Sequence, residues 1–256
     1  MEKKISDYVL KSENKVIANN EKKIKIGILS SFTINGLDEC LKVKCNELGF
    51  NYQSFVSGYN QYSQEILNKN SELFKFNPDI TFLLIDIRKI FGDAYYFSNS
   101  INSEKRKKIV NEKISEIKNL LLNFQNNLNK KLIISIVNLY IHSPNGIIDN
   151  KLEFGFHEMI NKLNYELINF VKTKQSLFVY DFTQFVHKYG EKNIFDYRQF
   201  FLGDIQISFS YIPYFANELL GYIKPSLGLN RKCIVLDLDN TLWGGVVGED
   251  GFDGIE

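Results

Sequence analysis

From Lys23 onward, short runs of β-branched and aliphatic residues alternate with longer stretches of helical period, and this alternation constrains the fold more than any other feature. Strands separated by amphipathic segments of helical length are joined by crossovers, and crossovers make parallel sheets. Five runs read as strands: IKIGILS at 24–30, NYQSFV at 51–56, DITFLLID at 79–86, LIISIVNL at 132–139 and SLFVYDF at 176–182. Several are apolar on both faces, as strands covered by helices on each side must be. Helical period falls near 35–48, 62–75, 104–128, 153–173 and 212–223. The expected architecture is a three-layer α/β/α fold with a flavodoxin-like parallel sheet.

The segment 104–128 carries the clearest helical signal. Ser103 stands where an N-cap belongs, and Ile109, Ile114, Ile117, Leu120, Leu121, Phe124 and Leu128 form a stripe with lysines opposite. Its basic run KRKK at 105–108 reads as a solvated helix face, because no aromatic or glycine-rich partner accompanies it. Residues 187–211 lack a clear period and read as loop with one helical turn. KPSLGLN at 224–230 has linker composition. The expected organisation is a lead-in over 1–22, an α/β domain over 23–223, a linker over 224–230 and a second domain opening at 231–256.

Composition excludes several classes of function. Lysine and arginine total 31 against 30 acidic residues, a formal charge of +1, which offers no general attraction to nucleic acid or to an anionic membrane. The charged N-terminus has no continuous apolar stretch for a signal peptide or membrane span. Three cysteines, Cys40, Cys45 and Cys233, fit neither a disulfide framework nor a zinc site, so a reducing cytoplasm is the expected compartment. Abundant Lys, Asn and Ile fit an AT-rich bacterial genome.

After the linker, Cys233, Ile234, Val235 and Leu236 read as a buried strand that runs directly into DLDNT at 237–241. Alternation along a strand sends Asp237 and Asp239 to the same side, about 6 to 7 Å apart, at the strand end where open α/β sheets place ligands. Two such carboxylates repel each other unless a cation or a catalytic task requires them. Mg2+ suits the pair, because it takes one or two carboxylates together with waters and phosphate oxygens. One carboxylate then has the chemistry of an in-line nucleophile on phosphorus, the other that of a general acid and base, with Thr241 orienting the loop. Asp-x-Asp also arises by chance at turns, but here a short apolar run, Asn-Thr and Trp-Gly-Gly surround it in order.

DLDNT resembles the DxDxT signature of the haloacid dehalogenase superfamily of phosphatases and phosphotransferases. The longer DLDNTLWGGVVGEDG, 237–251, is similar to the signature of its FkbH-like branch, in which an SGNH-hydrolase-like α/β domain precedes the phosphatase domain. SSFT at 30–33 and GYNQYSQEIL at 58–67 extend the likeness over most of the chain. The resemblance implies Asp237 as nucleophile and Mg2+ ligand, and Asp239 as acid and base that gives its backbone carbonyl to the metal. It further implies a phosphorylated donor such as 1,3-bisphosphoglycerate and an acyl carrier protein as acceptor.

The same resemblance requires elements not found after Thr241: a Ser or Thr for phosphate, a Lys and further acids. Fifteen residues follow Thr241, against roughly a hundred in a complete domain, so the chain reads as a truncated parent, inactive alone. An SGNH-type esterase or O-acyltransferase is a competing reading. Ser30 and Ser31 stand where its nucleophile would, yet Asp-x-x-His is missing and the third strand ends in IDIRK rather than Gly-x-Asn-Asp. His187 and Asp196 are the available substitutes and read as surface loop residues, while His142 and His157 have no evident partner. A degenerate, non-catalytic hydrolase domain that recognises a carrier protein or donor is the other alternative. In the family a cysteine thiol has been linked to the glyceryl group, but all three cysteines read as small hydrophobes.

Overall fold

Alternation in the sequence becomes alternation in space in a computed structural model, which describes residues 4–13, 22–136, 143–229, 233 and 235–255. The elements are α1 (Ile5–Glu13), β1 (Lys23–Ser30), α2 (Leu37–Glu47), β2 (Asn51–Val56), α3 (Tyr62–Leu67), α4 (Glu72–Phe76), β3 (Ile80–Leu84), α5 (Ile87–Phe91) and α6 (Asp93–Tyr96). They continue with α7 (Ser103–Asn127), β4 (Lys131–Ile136), α8 (Phe156–Lys172), β5 (Leu177–Asp181), α9 (Phe182–Tyr189), α10 (Glu191–Ile194), α11 (Tyr197–Gly203), α12 (Ile212–Ser226) and α13 (Val247–Asp250). Two compact units divide the chain, the first ending at Leu219 and the second beginning at Leu220.

Within the first unit the strands pair in the order β2-β1-β3-β4-β5, all parallel, which is the flavodoxin-like order expected from the sequence. Ile26 pairs with Ile80, Thr81 with Leu132 and Ile134 with Val179, so neighbouring side chains of one parity share a face. On one face Leu29, Leu83, Leu132, Ile134 and Leu177 meet the stripe Val110, Ile114, Ile117, Leu121 and Phe124 of α7 and Met159, Ile160, Leu163 and Leu167 of α8. Burying a side chain of this size contributes about 1.5–3 kcal/mol, which makes this cluster the main source of stability. On the opposite face Tyr180 of β5 lies 5.7 Å from Phe215 of α12, and Phe182 and Phe185 of α9 join them in edge contacts.

The five strands are as expected except at their ends. The third stops at Leu84 because Asp86 turns away to cap α5, and residues 137–139 of the fourth lie outside the described residues. Four local expectations are corrected. The cap of α7 is Asn102, whose side chain accepts from Lys105 N at 2.9 Å, whereas Ser103 instead reaches Glu153. Arg106 in the KRKK run is buried, because four-residue steps place it in line with Val110 and Ile114; its guanidinium donates to the carbonyls of Ser98, Ile101, Glu153 and Phe154.

The stretch 187–211 contains the end of α9 and two short helices set by local groups that no periodicity reveals: Asp196 accepts from Arg198 N and Gln199 N at the start of α11, and Gly190 opens α10 at φ 83°. In the second unit α12 runs through Pro225 to Ser226 before Gly228, at φ 71°, ends it in a 6→1 bond from Leu229 N to Lys224 O. The linker composition of 224–230 is in part that of a helix terminus.

Candidate functional site

The strand order reverses between β1 and β3, and at such a switch point the loops leaving the two strands diverge and open a crevice. Ser31 begins the loop after β1. Its N–H donates to Leu84 O at 3.0 Å and its Oγ accepts from Asp86 N at 2.8 Å, with no exposed surface on the residue. Ser30 is likewise turned inward, its hydroxyl donating to Phe32 O at 2.8 Å. Both hydroxyls are buried and bonded to backbone groups, and among the described residues neither meets a histidine, so this serine pair ties two loops together rather than presenting a nucleophile.

Asp86 ends the segment after β3. It caps α5 by accepting from Arg88 N and pairs with Arg88 Nε at 2.8 Å, its side chain being 1 % exposed. Burial pushes its carboxyl above the ordinary carboxylate range, although Arg88 pulls in the other direction. Arg88 stacks on Phe200 of α11, 3.9 Å from the ring centre, and its far nitrogen lies 4.0 Å from Asp204. Lys89 Nζ is 3.3 Å from Asp204, and the Tyr59 hydroxyl donates to the same carboxylate at 2.6 Å. The Tyr59 hydroxyl first, and Asp204 after it, hold the Lys89 amine above its usual range. Thr33 completes the closure: its N–H donates to Asp204 O, its hydroxyl to Gly203 O, and it forms a parallel bridge with Ile205. The groups that would meet a substrate here are satisfied by one another.

The substitutes for an esterase triad are not brought together. Asp196 is the cap of α11, and His187 is exposed on α9. His157 Nδ1 lies 3.5 Å from Asp149, a partner the sequence did not reveal, but the Asp149 carboxylate is itself taken up by the first turn of α8, accepting from Phe156 N and His157 N. His142 lies outside the described residues. Sequence reasoning missed Tyr59, Arg88, Lys89 and Asp204 as one cluster. Its only trace was the charged IDIRK where a hydrolase would carry Gly-x-Asn-Asp.

In the second unit the expected buried strand at 233–236 does not form among the described residues, and Cys233, Val235 and Leu236 are exposed. A parallel strand exists only by pairing, and no described strand pairs with this one. The loop that follows is ordered by its own residues. Asp239 Oδ1 accepts from Trp243 Nε1 at 3.1 Å and Val247 N at 3.2 Å. Asn240, at φ 54°, exchanges bonds with Gly245 through its N–H and its side-chain oxygen. Asp237 is exposed and its carboxylate accepts from Leu238 N, while Thr241 is exposed as well. Trp243, the tryptophan of the Trp-Gly-Gly that follows the acids, is thus a donor to Asp239. Two carboxylates suffice in kind for Mg2+, which completes its octahedron with water and phosphate oxygens. No group of three His, Cys, Asp or Glu suited to a metal occurs among the described residues.

A five-stranded parallel sheet in this order, flanked by helices on both faces, with the remains of a serine loop after β1, places the first unit among SGNH-hydrolase-like α/β folds. An acetyl xylan esterase superposes on 78 % of the chain, over its own full length, with a TM-score of 0.50 at 13 % identity, a likeness of fold alone. A family model described as FkbH, N-terminal domain, matches residues 25–224, and the chain belongs to that family. The N-terminal part of a Bacteroides fragilis protein, containing a phosphatase domain and crystallised with Mg, superposes on 99 % of the chain with a TM-score of 0.80 at 23 % identity. The present chain spans 65 % of that structure's length. No curated protein matches the chain. No helix among the described residues is long and apolar enough to cross a membrane.

Proposed function

We propose that the chain is the N-terminal portion of an FkbH-like phosphatase and acyl transferase that removes phosphate from a donor such as 1,3-bisphosphoglycerate and loads the glyceryl or related acyl unit onto an acyl carrier protein in the cytoplasm. The observation that carries this reading is the different setting of the two acids in a chain of this family: Asp237 is exposed, whereas Asp239 accepts from Trp243 Nε1 and Val247 N. Asp237 attacks phosphorus as the bond to the leaving oxygen breaks, and Asp239 gives that oxygen a proton. Asp239 then takes a proton from the water that cleaves the aspartyl-phosphate. Asp237, with Asp239 through its backbone carbonyl, would hold Mg2+, which would supply charge neutralisation at the phosphoryl group. Thr241 orients the loop.

Phosphate release from 1,3-bisphosphoglycerate by the full-length protein carrying this chain tests the reading. Asp237→Asn abolishes release, because an amide is neither nucleophile nor anionic ligand. Asp239→Asn cripples turnover while phosphate still binds. Undiminished release by the Asp237 variant sinks the assignment.

A second reading concerns the first unit. Because Ser31 is fully buried and Asp204 is enclosed by Tyr59, Lys89 and Arg88, the hydrolase-like domain acts as a non-catalytic recognition module for donor or carrier.

A further inference from the structure

The segment Tyr197–Asp204 crosses the C-terminal edge of the sheet, and its attachment there is mainly polar. No residue of α11 is buried, and Tyr197, Phe201 and Leu202 are 71 %, 81 % and 78 % exposed. What holds the segment is the pair of bonds from Thr33, the stacking of Arg88 on Phe200, and above all the Asp204 carboxylate among Tyr59, Arg88 and Lys89. One hydroxyl from the segment after β2 and two cations from α5 converge on one carboxylate and have the form of an anion site, here filled from within.

We propose that α11 with Asp204 is a lid, that the Asp204 carboxylate plugs an anion subsite built by Lys89, Arg88 and the Tyr59 hydroxyl, and that a small molecule bearing a phosphate or carboxylate takes this subsite when the lid lifts. Charge supports it. With Asp204 withdrawn, Arg88 and Lys89 lose the carboxylate they share, and Arg88 keeps its pair with Asp86, at the switch point where α/β sheets bind ligands. Two buried polar atoms on the same segments, Ser57 Oγ two residues before Tyr59 and Gln206 Nε2 two residues after Asp204, have no hydrogen-bond partner among the described residues. Asp204 keeps 19 % of its side chain exposed, and ion pairs in contact with water contribute modestly, so an external dianion can compete. The inference uses only groups of the first unit and does not depend on the chemistry of Asp237.

Trypsin cleavage after exposed Arg198 in the full chain reports lid opening. Inorganic phosphate and acetate are each titrated against sodium chloride at matched ionic strength. A saturable, several-fold acceleration by phosphate or acetate beyond that of chloride is expected; a larger response to phosphate assigns a phosphate ligand and the reverse a carboxylate. Asp204→Asn should bind its preferred anion roughly tenfold tighter by calorimetry, since the internal competitor is removed, and adding Lys89→Ala should abolish that gain. Should Asp204→Asn fail to fold, Tyr59→Phe at an exposed position replaces it and should weaken the anion-specific acceleration. Equal acceleration by all salts, or unchanged affinity in Asp204→Asn, overturns the proposal.

Discussion

Ser31→Ala separates a structural serine from a nucleophile. The substitution removes the oxygen that accepts from Asp86 N at 2.8 Å, and the residue has no exposed surface through which solvent could replace it. The space vacated by one hydroxyl oxygen is below the share of about 30 Å³ that a water occupies. Asp86 N–H is then a buried donor without an acceptor, which costs about 1–3 kcal/mol. Taking about 2 kcal/mol, and about 2–4 °C per kcal/mol for a protein of this size, thermal unfolding shifts down by about 4–8 °C. Urea denaturation should show a lower midpoint with an unchanged slope, because the surface exposed on unfolding is the same. Hydrolysis of p-nitrophenyl acetate, followed in parallel, should not differ between the two proteins. An unchanged midpoint together with lost ester hydrolysis would refute the reasoning, for it would mean that the hydroxyl is accessible and reactive.

Arg106→Ala should destabilise by about 3 kcal/mol in urea, since four backbone carbonyls lose a charged donor, and Arg106→Lys should restore less than half of it because an ammonium cannot fork; equal midpoints for the three proteins contradict this. Asp86 supplies a pH dependence. Burial raises its carboxyl in the folded state above the unfolded value of about 3.9, so its stabilising contribution is complete below that value and is lost as pH rises through the folded titration. Wild type should therefore lose stability relative to non-titrating Asp86→Asn from about pH 4 upward until the folded carboxyl is ionised; a difference that grows in favour of wild type would show that Arg88 outweighs burial. Iodoacetamide should label exposed Cys233 in the native protein and all three cysteines in urea, as Cys40 is buried and burial pushes the Cys45 thiol up to about 12; native labelling of Cys45 by mass spectrometry would contradict its burial.

Reading the fold from the sequence worked where the signal was periodic. The strands 24–30 and 51–56 and the stripe of α7 report their environment through spacing alone, because a residue's face follows from its position along a strand or helix. It failed where a single side chain decided the outcome. Asn102 rather than Ser103 caps α7, and two short helices in 187–211 lean on local groups such as Asp196 and Gly190, which a window average does not weigh. Of the apolar run at 233–236 that looked like a strand, the described residues Cys233, Val235 and Leu236 are exposed, because apolarity licenses a strand only where a partner supplies the ladder.

The candidate sites divide in the same way. The pair Asp237 and Asp239 could be read directly, since both acids and the Trp243 that contacts one of them lie within seven consecutive residues. The closure at the sheet edge could not. Ser31 meets Asp86 across 55 residues of chain, and Tyr59 meets Asp204 across 145. By itself the sequence determined which segments form strands and helices and which short motif carries carboxylate chemistry, because both are set by neighbours along the chain. Only the tertiary structure decided that Arg106 is buried, that Ser31 is a tie between loops and that Asp204 meets Tyr59, Arg88 and Lys89. Strand order fixes which loops meet, and charges from distant segments pair only after the sheet has brought them within reach.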